Sequence, residues 1–155
     1  MIAAPPIIID TATLADLDDL LRIEQQSWPE PWEAMHFIHA MQHRNNVARI
    51  AYCQLTCEPI GFALYDVMQD RIWLVNLSVA ADIRRAGVGR ELLRDVERDA
   101  VRMKRDTVFA SVDERNVEAQ LWLKACGYKC CQVRRNEYGD DCDGYTFGRF
   151  IRGQG

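Results

Sequence analysis

Hydrophobic and polar positions alternate with different periods along the chain, and each period predicts a different element. A short apolar run, Ile7 to Ile9, is typical of a strand. Thr13 follows, three residues before Asp16, and this spacing predicts the N-cap of a first helix that ends at about Gln26. The apolar positions of this helix recur at helical spacing and comprise Leu14, Leu17, Leu20 and Leu21.

The segment Ser27-Trp28-Pro29-Glu30-Pro31-Trp32 contains two prolines, which remove backbone donors and restrict the residues before them. It therefore predicts a break after the first helix, followed by a second short helix from about Trp32 to His43.

Three strand-like runs come next: Val47 to Thr56, Ile60 to Met68 and Ile72 to Val79. Tight connections separate them, with Glu58-Pro59 in the first and Gln69-Asp70 in the second. We therefore expect these strands to form an antiparallel meander.

The period becomes helical again from Val88 onwards. One face of this segment is apolar and another carries arginines: Val88, Leu92, Val96, Ala100 and Met103 against Arg90, Arg94, Arg98 and Arg102. The pattern predicts a solvated amphipathic helix of about four to five turns.

The remaining elements are a strand over Thr107 to Asp113, a helix over Asn116 to Cys126 that Gly127 ends, and strands over Tyr128 to Glu137 and Tyr145 to Ile151. The resulting order, β-αα-βββ-α-β-α-ββ, predicts a mixed α/β sandwich around one sheet.

The composition fits one globular domain over residues 1–155, with 48% apolar and 27% charged residues. Apolar runs fall far short of the roughly 20 residues that cross a bilayer, and Met1 to Pro6 lacks the pattern of a secretory signal. We therefore expect a soluble, cytoplasmic protein with no membrane partner.

The formal net charge is −4, which argues against a dedicated nucleic-acid binder. Its distribution is uneven, because residues 1–33 hold seven acids and one base, and residues 84–105 hold eight bases and four acids. Residues 137–143 are acidic as well. This asymmetry is either ordinary surface variation or the mark of an anionic and a cationic ligand on different faces.

The six cysteines are expected to be reduced thiols rather than a disulfide framework. Two pairs, Cys53/Cys57 and Cys126/Cys130, share a C-x3-C spacing that invites a zinc interpretation. Typical zinc knuckles use a C-x2-C spacing on loops, whereas Cys53 to Cys57 falls in a strand-like segment. Packing is the better interpretation, and we expect no metal.

The most informative segment runs from Leu77 to Arg90. A strand ends at Val79, and Gly87 and Gly89 then open the long helix, so that free backbone N–H groups lie at a helix N-terminus. Together with the positive charge of Arg84, Arg85 and Arg90, this arrangement suits a phosphate group. The alternative is a simple turn with glycines for steric relief, and the spacing fits neither a Walker loop nor a Rossmann fingerprint.

The R-x-x-G-x-G pattern from Arg84 to Gly89 resembles the acetyl-CoA pyrophosphate loop of the GNAT superfamily of N-acetyltransferases. Three further motifs extend the resemblance to the RimI-type ribosomal-protein alanine N-acetyltransferases: the W-P-E-P-W segment ending at Trp32, the helix from Asn116 to Gly127-Tyr128, and Arg134-Arg135-Asn136 followed by Tyr138. The resemblance implies a GNAT-like α/β (α+β) fold with helices on both faces of one mixed, mostly antiparallel sheet.

The resemblance also implies sites for acetyl-CoA. Leu77, Ser78 and Val79 would pair with the pantetheine arm, and a backbone N–H near Val79 would stabilise the oxyanion. The loop that holds the pyrophosphate would comprise Arg84, Arg85, Ala86, Gly87, Val88, Gly89 and Arg90. Asn116 would contact the coenzyme, cap its own helix, or do both.

Two catalytic side chains of the family are missing. Ser111 stands where the family has a general base Glu, and Leu123 stands where it has a general acid Tyr. Proximity and an oxyanion hole could suffice, with water held by Ser111. Asp113, Tyr138 or Glu137 could act instead, or the protein could bind acetyl-CoA without turning it over.

We expect an acetyl-CoA-dependent N-acetyltransferase that acts by direct transfer on a protein α-amino group. One alternative is a small-amine or polyamine acetyltransferase, and another is a non-catalytic module that binds acetyl-CoA. The acidic first helix and residues 137–143 would flank the mouth that admits a cationic acceptor. Trp28, Trp32 and Tyr138 would line a peptide groove or a closed pocket, or belong to the core.

Overall fold

The computed structural model describes residues 5–26, 30–139 and 141–151. Its strands form one sheet in the order β1-β2-β3-β4-β5-β7-β6, in which only β4 and β5 are parallel. The strands are β1 (Ile7–Thr11), β2 (Asn46–Cys53), β3 (Pro59–Val67), β4 (Arg71–Val79), β5 (Thr107–Asp113), β6 (Lys129–Arg134) and β7 (Gly144–Phe150). The predicted mixed, mostly antiparallel sheet and its meander are confirmed.

The α-helices are α1 (Leu17–Glu24), α2 (Ala34–Gln42), α3 (Val88–Arg102) and α4 (Val117–Ala125), and 3-10 turns cover Leu14–Asp16 and Ala81–Ile83. Thr13 forms the predicted capping box with Asp16. Predicted helix one is therefore a 3-10 turn followed by α1, which ends two residues early. Residues 27–29 of the proline segment lie outside the described residues.

Two predicted strands were too long at their C-terminal ends. β2 ends at Cys53 rather than Thr56, because the chain turns there and Cys57 adopts a positive φ of 61°. β6 ends at Arg134 rather than Glu137, because a turn follows in which Asn136 has a φ of 58°. Left-handed residues cannot continue a strand, and the sequence pattern of alternating side chains does not reveal them.

Each face of the sheet carries its own core, as the predicted sandwich requires. On one face, α1 and α2 bury Leu20, Ile23 and Phe37 against Ile50 and Phe62. The opposite face is covered by α3 and α4, with a core that includes Leu92, Val96, Ala63, Leu74, Val108 and Leu123. Burial of each such side chain contributes roughly 1.5–3 kcal/mol, so both helix layers are held mainly by apolar contact.

The cysteine pairs are split between core and surface. All six thiols are free, and Cys53, Cys126 and Cys142 are buried. The packing interpretation is wrong for Cys57 and Cys130, which are exposed because Cys57 lies in a turn and Cys130 lies on the exposed strand β6. Cys131, also on β6, is exposed as well. Within the described residues no three His, Cys, Asp or Glu side chains are grouped to hold a metal ion. None of the described helices is long and apolar enough to span a membrane.

Candidate active site

The central feature of the sheet is a split between its two parallel strands. β4 and β5 pair only over Arg71–Leu74 and Thr107–Ala110, and this pairing ends where a bulge between Leu74 and Asn76 shifts the register of β4 against β3. Beyond these residues, β4 stays paired with β3 and β5 stays paired with β7. The two strand ends therefore diverge, and they form the walls of a cleft of about 440 Å³.

The loop before α3 closes one end of this cleft. Arg85 and Gly87 both have positive φ values, 66° and 91°, and Gly87 is the N-cap of α3. The first N–H groups of a helix have no intrahelical acceptor and lie at the positive end of its dipole. Arg85, Gly87, Gly89 and Arg90 line the cleft, whereas the side chains of Ala86 and Val88 are buried.

Trp122 of α4 sets the space available at the glycine-containing turn. A Cβ atom on Gly89 would lie 3.3 Å from Cζ2 of Trp122, closer than most such contacts in proteins. Gly89 therefore lets α3 and α4 approach each other at the cleft. The sequence motifs do not single out Trp122, because an aromatic residue in a helix more often belongs to the core.

The Arg84 side chain is held by hydrogen bonds within the protein. Its guanidinium donates to the carbonyl oxygens of Gln26 at 2.7 Å and of Val79 at 3.2 Å. It thus ties the segment after α1 to the end of β4. Farther along α3, each arginine is paired with an acid three residues earlier: Arg94 with Glu91, Arg98 with Asp95, and Arg102 with Asp99. The local positive charge is therefore concentrated at the start of α3.

Glu24 is a buried carboxylate that the sequence analysis missed. It lies on α1, is 4% exposed, and lines the cleft. Its carboxylate accepts hydrogen bonds from the Ser78 hydroxyl and from the backbone N–H of Trp32, each at 2.9 Å. A signal was present, because Glu24 continues the apolar stripe formed by Leu17, Leu20 and Leu21 at helical spacing.

Ser111 and Tyr138, two of the predicted catalytic residues, lie together at the cleft. The Ser111 hydroxyl donates to the carboxylate of Glu137 at 2.7 Å. Burial raises the pKa of Tyr138, and its hydrogen bond with Ser111 acts in the opposite direction. Tyr138 is 39% exposed, and its ring reaches the cleft from the segment between β6 and β7.

Asp113, the third predicted catalytic residue, is engaged in an ion pair. The Arg115 guanidinium binds both of its carboxylate oxygens, at 2.7 and 3.0 Å, and the Cys142 thiol also contacts it. The bonds from Arg115 lower the pKa of Asp113 to about 2. Such a carboxylate has little affinity for a proton at neutral pH, so the arrangement is unsuited to a general base.

Three further residues complete the walls. The Asn116 side chain accepts from the N–H of Ala119 at 3.1 Å, which confirms that it caps α4. Leu123 is buried and contributes only apolar surface. Asn76 lines the cleft where β4 leaves β5, and its amide nitrogen is buried with no hydrogen-bond partner among the described residues.

The acidic N-terminal part of the chain contributes less to the cleft than predicted. Of its seven acids only Glu24 and Glu30 line the cleft. Asp10, Asp16 and Asp19 lie near Tyr52 instead, where burial and then these charges raise the pKa of the phenol. Within the first helix, only Glu24 at the C-terminal end lines the cleft. Trp32 lines the cleft, whereas Trp28 lies outside the described residues.

Comparisons with known proteins agree with this geometry. The acetyltransferase (GNAT) family matches residues 17–128. The [Ribosomal protein bS18]-alanine N-acetyltransferase of Escherichia coli is 28% identical over 132 residues, which cover 84% of this chain and 86% of that protein.

Two solved structures share the fold. The ribosomal-protein-S18-alanine N-acetyltransferase from Escherichia coli has a TM-score of 0.84 at 24% identity and covers 97% of both chains. Arabidopsis thaliana NAA60 in complex with a bisubstrate analogue has a TM-score of 0.79 at 20% identity, with 96% of this chain and 100% of that chain covered. Both likenesses confirm the predicted fold. The chain belongs to the acetyltransferase (GNAT) family, for which acetyl-CoA is the cosubstrate.

Proposed function

We propose that the protein transfers the acetyl group of acetyl-CoA to the α-amino group of a peptide or protein N-terminus. The observation that carries this proposal is the split between β4 and β5, with the N-terminus of α3 at its end. A strand edge that pairs with no neighbour offers N–H and C=O groups to a ligand. The nearby helix N-terminus offers N–H donors to an anion.

The coenzyme side of the cleft consists of Leu77–Val79 and Arg84–Arg90. We propose that Leu77, Ser78 and Val79 pair with the amides of the pantetheine arm. Free amides at the start of α3 would bind the pyrophosphate, with Arg85 and Arg90 adding positive charge and Arg84 fixing the loop. Ala86 and Val88 would contribute through their backbone, and Asn116 would contact the coenzyme while it caps α4.

The acceptor side of the cleft consists of Glu24, Glu30, Trp32, Ser111 and Tyr138. Its charges are negative, opposite in sign to those of the coenzyme side, and a negative wall attracts a cationic ammonium group. Relatives named for acetylation of an alanine in ribosomal protein bS18 support a protein acceptor. A peptide N-terminus combines the required ammonium with a backbone that Trp32 and Tyr138 can contact.

In the proposed reaction the neutral amine attacks the thioester carbonyl directly, within a ternary complex. The new C–N bond forms as the C–S bond breaks, and the sulfur leaves with the electron pair. A backbone N–H near Val79 would stabilise the oxyanion. Tyr138 would donate a proton to the thiolate, and Ser111 would contact the amine. Asp113 would hold the end of β5 through Arg115.

The experiment is an assay of free thiol release from acetyl-CoA, with mass detection of the acetylated product. Peptides with a free N-terminus should be acetylated, whereas the same peptides with a blocked N-terminus and no lysine should not. If only polyamines are acetylated, the acceptor is a small amine and not a peptide N-terminus. Acetyl-CoA binding with no turnover on any acceptor would show a non-catalytic binding module and overturn the proposal.

All seven strands belong to one sheet, which supports a single acetyltransferase domain over residues 1–155. Limited proteolysis tests this, because one domain should yield one protected fragment that contains β1 as well as β7. Two separable fragments would contradict it.

A further inference from the structure

We propose that Glu137, acting through the hydroxyl group of Ser111, is the base that removes the proton from the acceptor amine. This inference rests on the proposed function, since it concerns the same cleft. It assigns the proton-accepting step to a carboxylate from the segment between β6 and β7, rather than to a carboxylate on β5.

The first observation is the bond between the two side chains. Ser111 lies on β5 just beyond the point where β5 leaves β4, and it lines the cleft. Its hydroxyl donates to Oε2 of Glu137 at 2.7 Å. A hydroxyl that donates its hydrogen still has lone pairs that can accept a hydrogen bond. Ser111 can therefore accept from an ammonium in the cleft while it donates to the carboxylate.

The second observation is the space under the carboxylate. Gly144 is buried on β7, and a Cβ atom built on it would overlap with Oε2 of Glu137 and lie 2.9 Å from its Cδ. The same Cβ would lie 3.0 Å from the ring of Tyr138. Because Gly144 has no side chain, the carboxylate of Glu137 can lie in this space against the sheet.

The third observation is that the turn before Glu137 is fixed. Asn136 adopts a φ of 58°, and its N–H donates to the Asp143 carboxylate at 2.9 Å. The N–H of Tyr138 donates to the carbonyl of Cys142 at 3.1 Å. Glu137 lies between these two anchored residues, so its carboxylate is aimed at Ser111 by the backbone.

The neighbouring ionisable groups do not compete for this role. Tyr138 is hydrogen-bonded to Ser111 as well, but burial and the nearby carboxylates of Glu137 and Asp113 raise its pKa, so its phenol keeps its proton and does not act as the base. Asp113 is neutralised by Arg115, and Cys142 is buried against Asp113. Asp143 is held by the N–H of Asn136. Glu137 is itself exposed, so a proton that it accepts can pass to water.

The proton passes from the acceptor ammonium to Glu137 through the Ser111 hydroxyl. The ammonium of the acceptor gives one proton to the oxygen of Ser111, while the hydrogen of that hydroxyl passes to the Glu137 carboxylate. This leaves a neutral amine, a regenerated hydroxyl and a carboxylic acid. The amine attacks the thioester, and Tyr138 gives its proton to the sulfur as the thiolate leaves. One of the two remaining protons of the amine restores the Tyr138 hydroxyl, and the other stays on the amide. Glu137 then releases its proton to water.

The test compares Glu137→Gln with the unaltered protein, with acetyl-CoA and an N-terminal peptide as substrates. We expect kcat to fall by about 100-fold, at the lower end of what a general base contributes, with the KM for acetyl-CoA unchanged. The kcat of the variant should rise about tenfold per pH unit below the pKa of the peptide amine, about 7.7–8.0, because only deprotonated amine then reacts. A purely structural role of Glu137 would not change the pH profile in this way.

Asp141→Asn is the matched control, because it removes one negative charge from the same segment without touching Ser111. It should keep the kcat and the pH profile of the unaltered protein. If Glu137→Gln also keeps them, the inference is overturned while the proposed function stands. If the unaltered protein acetylates no acceptor, the proposed function fails and this inference fails with it.

Two further variants keep the test decisive if Glu137→Gln is poorly folded. Gly144→Ala should displace the carboxylate and lower kcat, and combining it with Glu137→Gln should cause no further loss, since both changes remove the same interaction. Glu137→Tyr alone should lower kcat. Adding Ser111→Glu to that variant should raise kcat about tenfold again, because it supplies a carboxylate directly from β5. Additive losses and no recovery would overturn the proposal.

Discussion

The two sides of the cleft are built in different ways. The coenzyme side is mostly backbone, made of the end of β4, whose edge towards β5 is unpaired, and the first turn of α3, which are close along the chain. Side chains form the acceptor side, and they come from α1, the segment before α2, β5 and the segment before β7. Binding of a phosphate-rich coenzyme therefore needs a local backbone shape, whereas proton transfer needs side chains brought together by the whole fold.

The largest effect that would separate the two sides is loss of coenzyme binding. Gly87→Val combined with Gly89→Leu places side chains at a φ of 91° and against Trp122. We expect acetyl-CoA binding to weaken by at least about 100-fold, which is near 3 kcal/mol, as measured by isothermal titration calorimetry.

The control for the glycine variants is Gly139→Ala. Gly139 also has a positive φ, 114°, but no atom would lie within 4 Å of an added Cβ. Gly139→Ala should strain the backbone, because alanine rarely adopts a positive φ, but it should leave the affinity for acetyl-CoA unchanged. Unchanged affinity in a folded Gly87/Gly89 variant would contradict the assignment of the coenzyme side.

The next effect concerns the stability of the acceptor side. Glu24→Ala leaves the Ser78 hydroxyl and the Trp32 N–H without their shared acceptor, which should lower the free energy of unfolding by about 2 kcal/mol. Urea unfolding measures this change. Glu30→Ala is the matched control, because Glu30 lines the cleft but is exposed, and it should leave stability nearly unchanged. Equal losses in the two variants would contradict the role given to Glu24.

A smaller effect tests the distinction between Asp113 and Glu137. Since Arg115 lowers the pKa of Asp113 from 3.8 to about 2, the pair stabilises the fold above about pH 4, and this stabilisation is lost as the pH falls towards 2. Asp113→Asn should therefore lower the free energy of unfolding by about 1–2 kcal/mol at pH 7, after allowance for the half-exposed Arg115, and by much less at pH 2.

The same Asp113→Asn variant should change kcat by less than about tenfold, because Arg115 already holds the carboxylate in an ion pair. Steady-state kinetics at pH 7 measures this. A loss as large as that of Glu137→Gln would reverse the roles assigned to the two carboxylates.

The smallest effect is electrostatic. Arg85→Ala removes one exposed charge from the coenzyme side and should weaken acetyl-CoA binding by about threefold at low salt. The difference should shrink as sodium chloride is raised to about 0.5 M, since salt screens exposed charges. Arg98→Ala, on the far part of α3 and paired with Asp95, should have no such effect on binding.

The coenzyme side could be predicted from the sequence to a large extent. Gly87, Gly89 and the arginines stand together at a strand-to-helix junction, and such junctions form from local dihedral preferences. The sequence did not reveal that Arg84 bonds to Gln26 and Val79, because those acceptors come from outside its own loop.

The acceptor side was predicted less completely. Ser111 and Tyr138 were both named as candidates, and both line the cleft, with Tyr138 on the turn after β6 rather than in the strand that the sequence predicted. Glu24 was missed, although its place on the apolar stripe of α1 was visible. The ion pair that occupies Asp113 was also missed, because a sequence does not state which way the Arg115 side chain turns.

The sequence by itself determined the order of elements, the apolar faces of α1 and α3 and the glycine-containing turn before α3, because periods of 3.6 and 2 residues and glycine dihedrals act over a few neighbouring residues. Only the tertiary structure decided that Glu137 reaches Ser111 and that Gly144 leaves space for its carboxylate. Those contacts depend on the register between β5 and β7 and on the turn that carries Glu137, and a shift of one residue along β5 would turn Ser111 to the other face of the sheet.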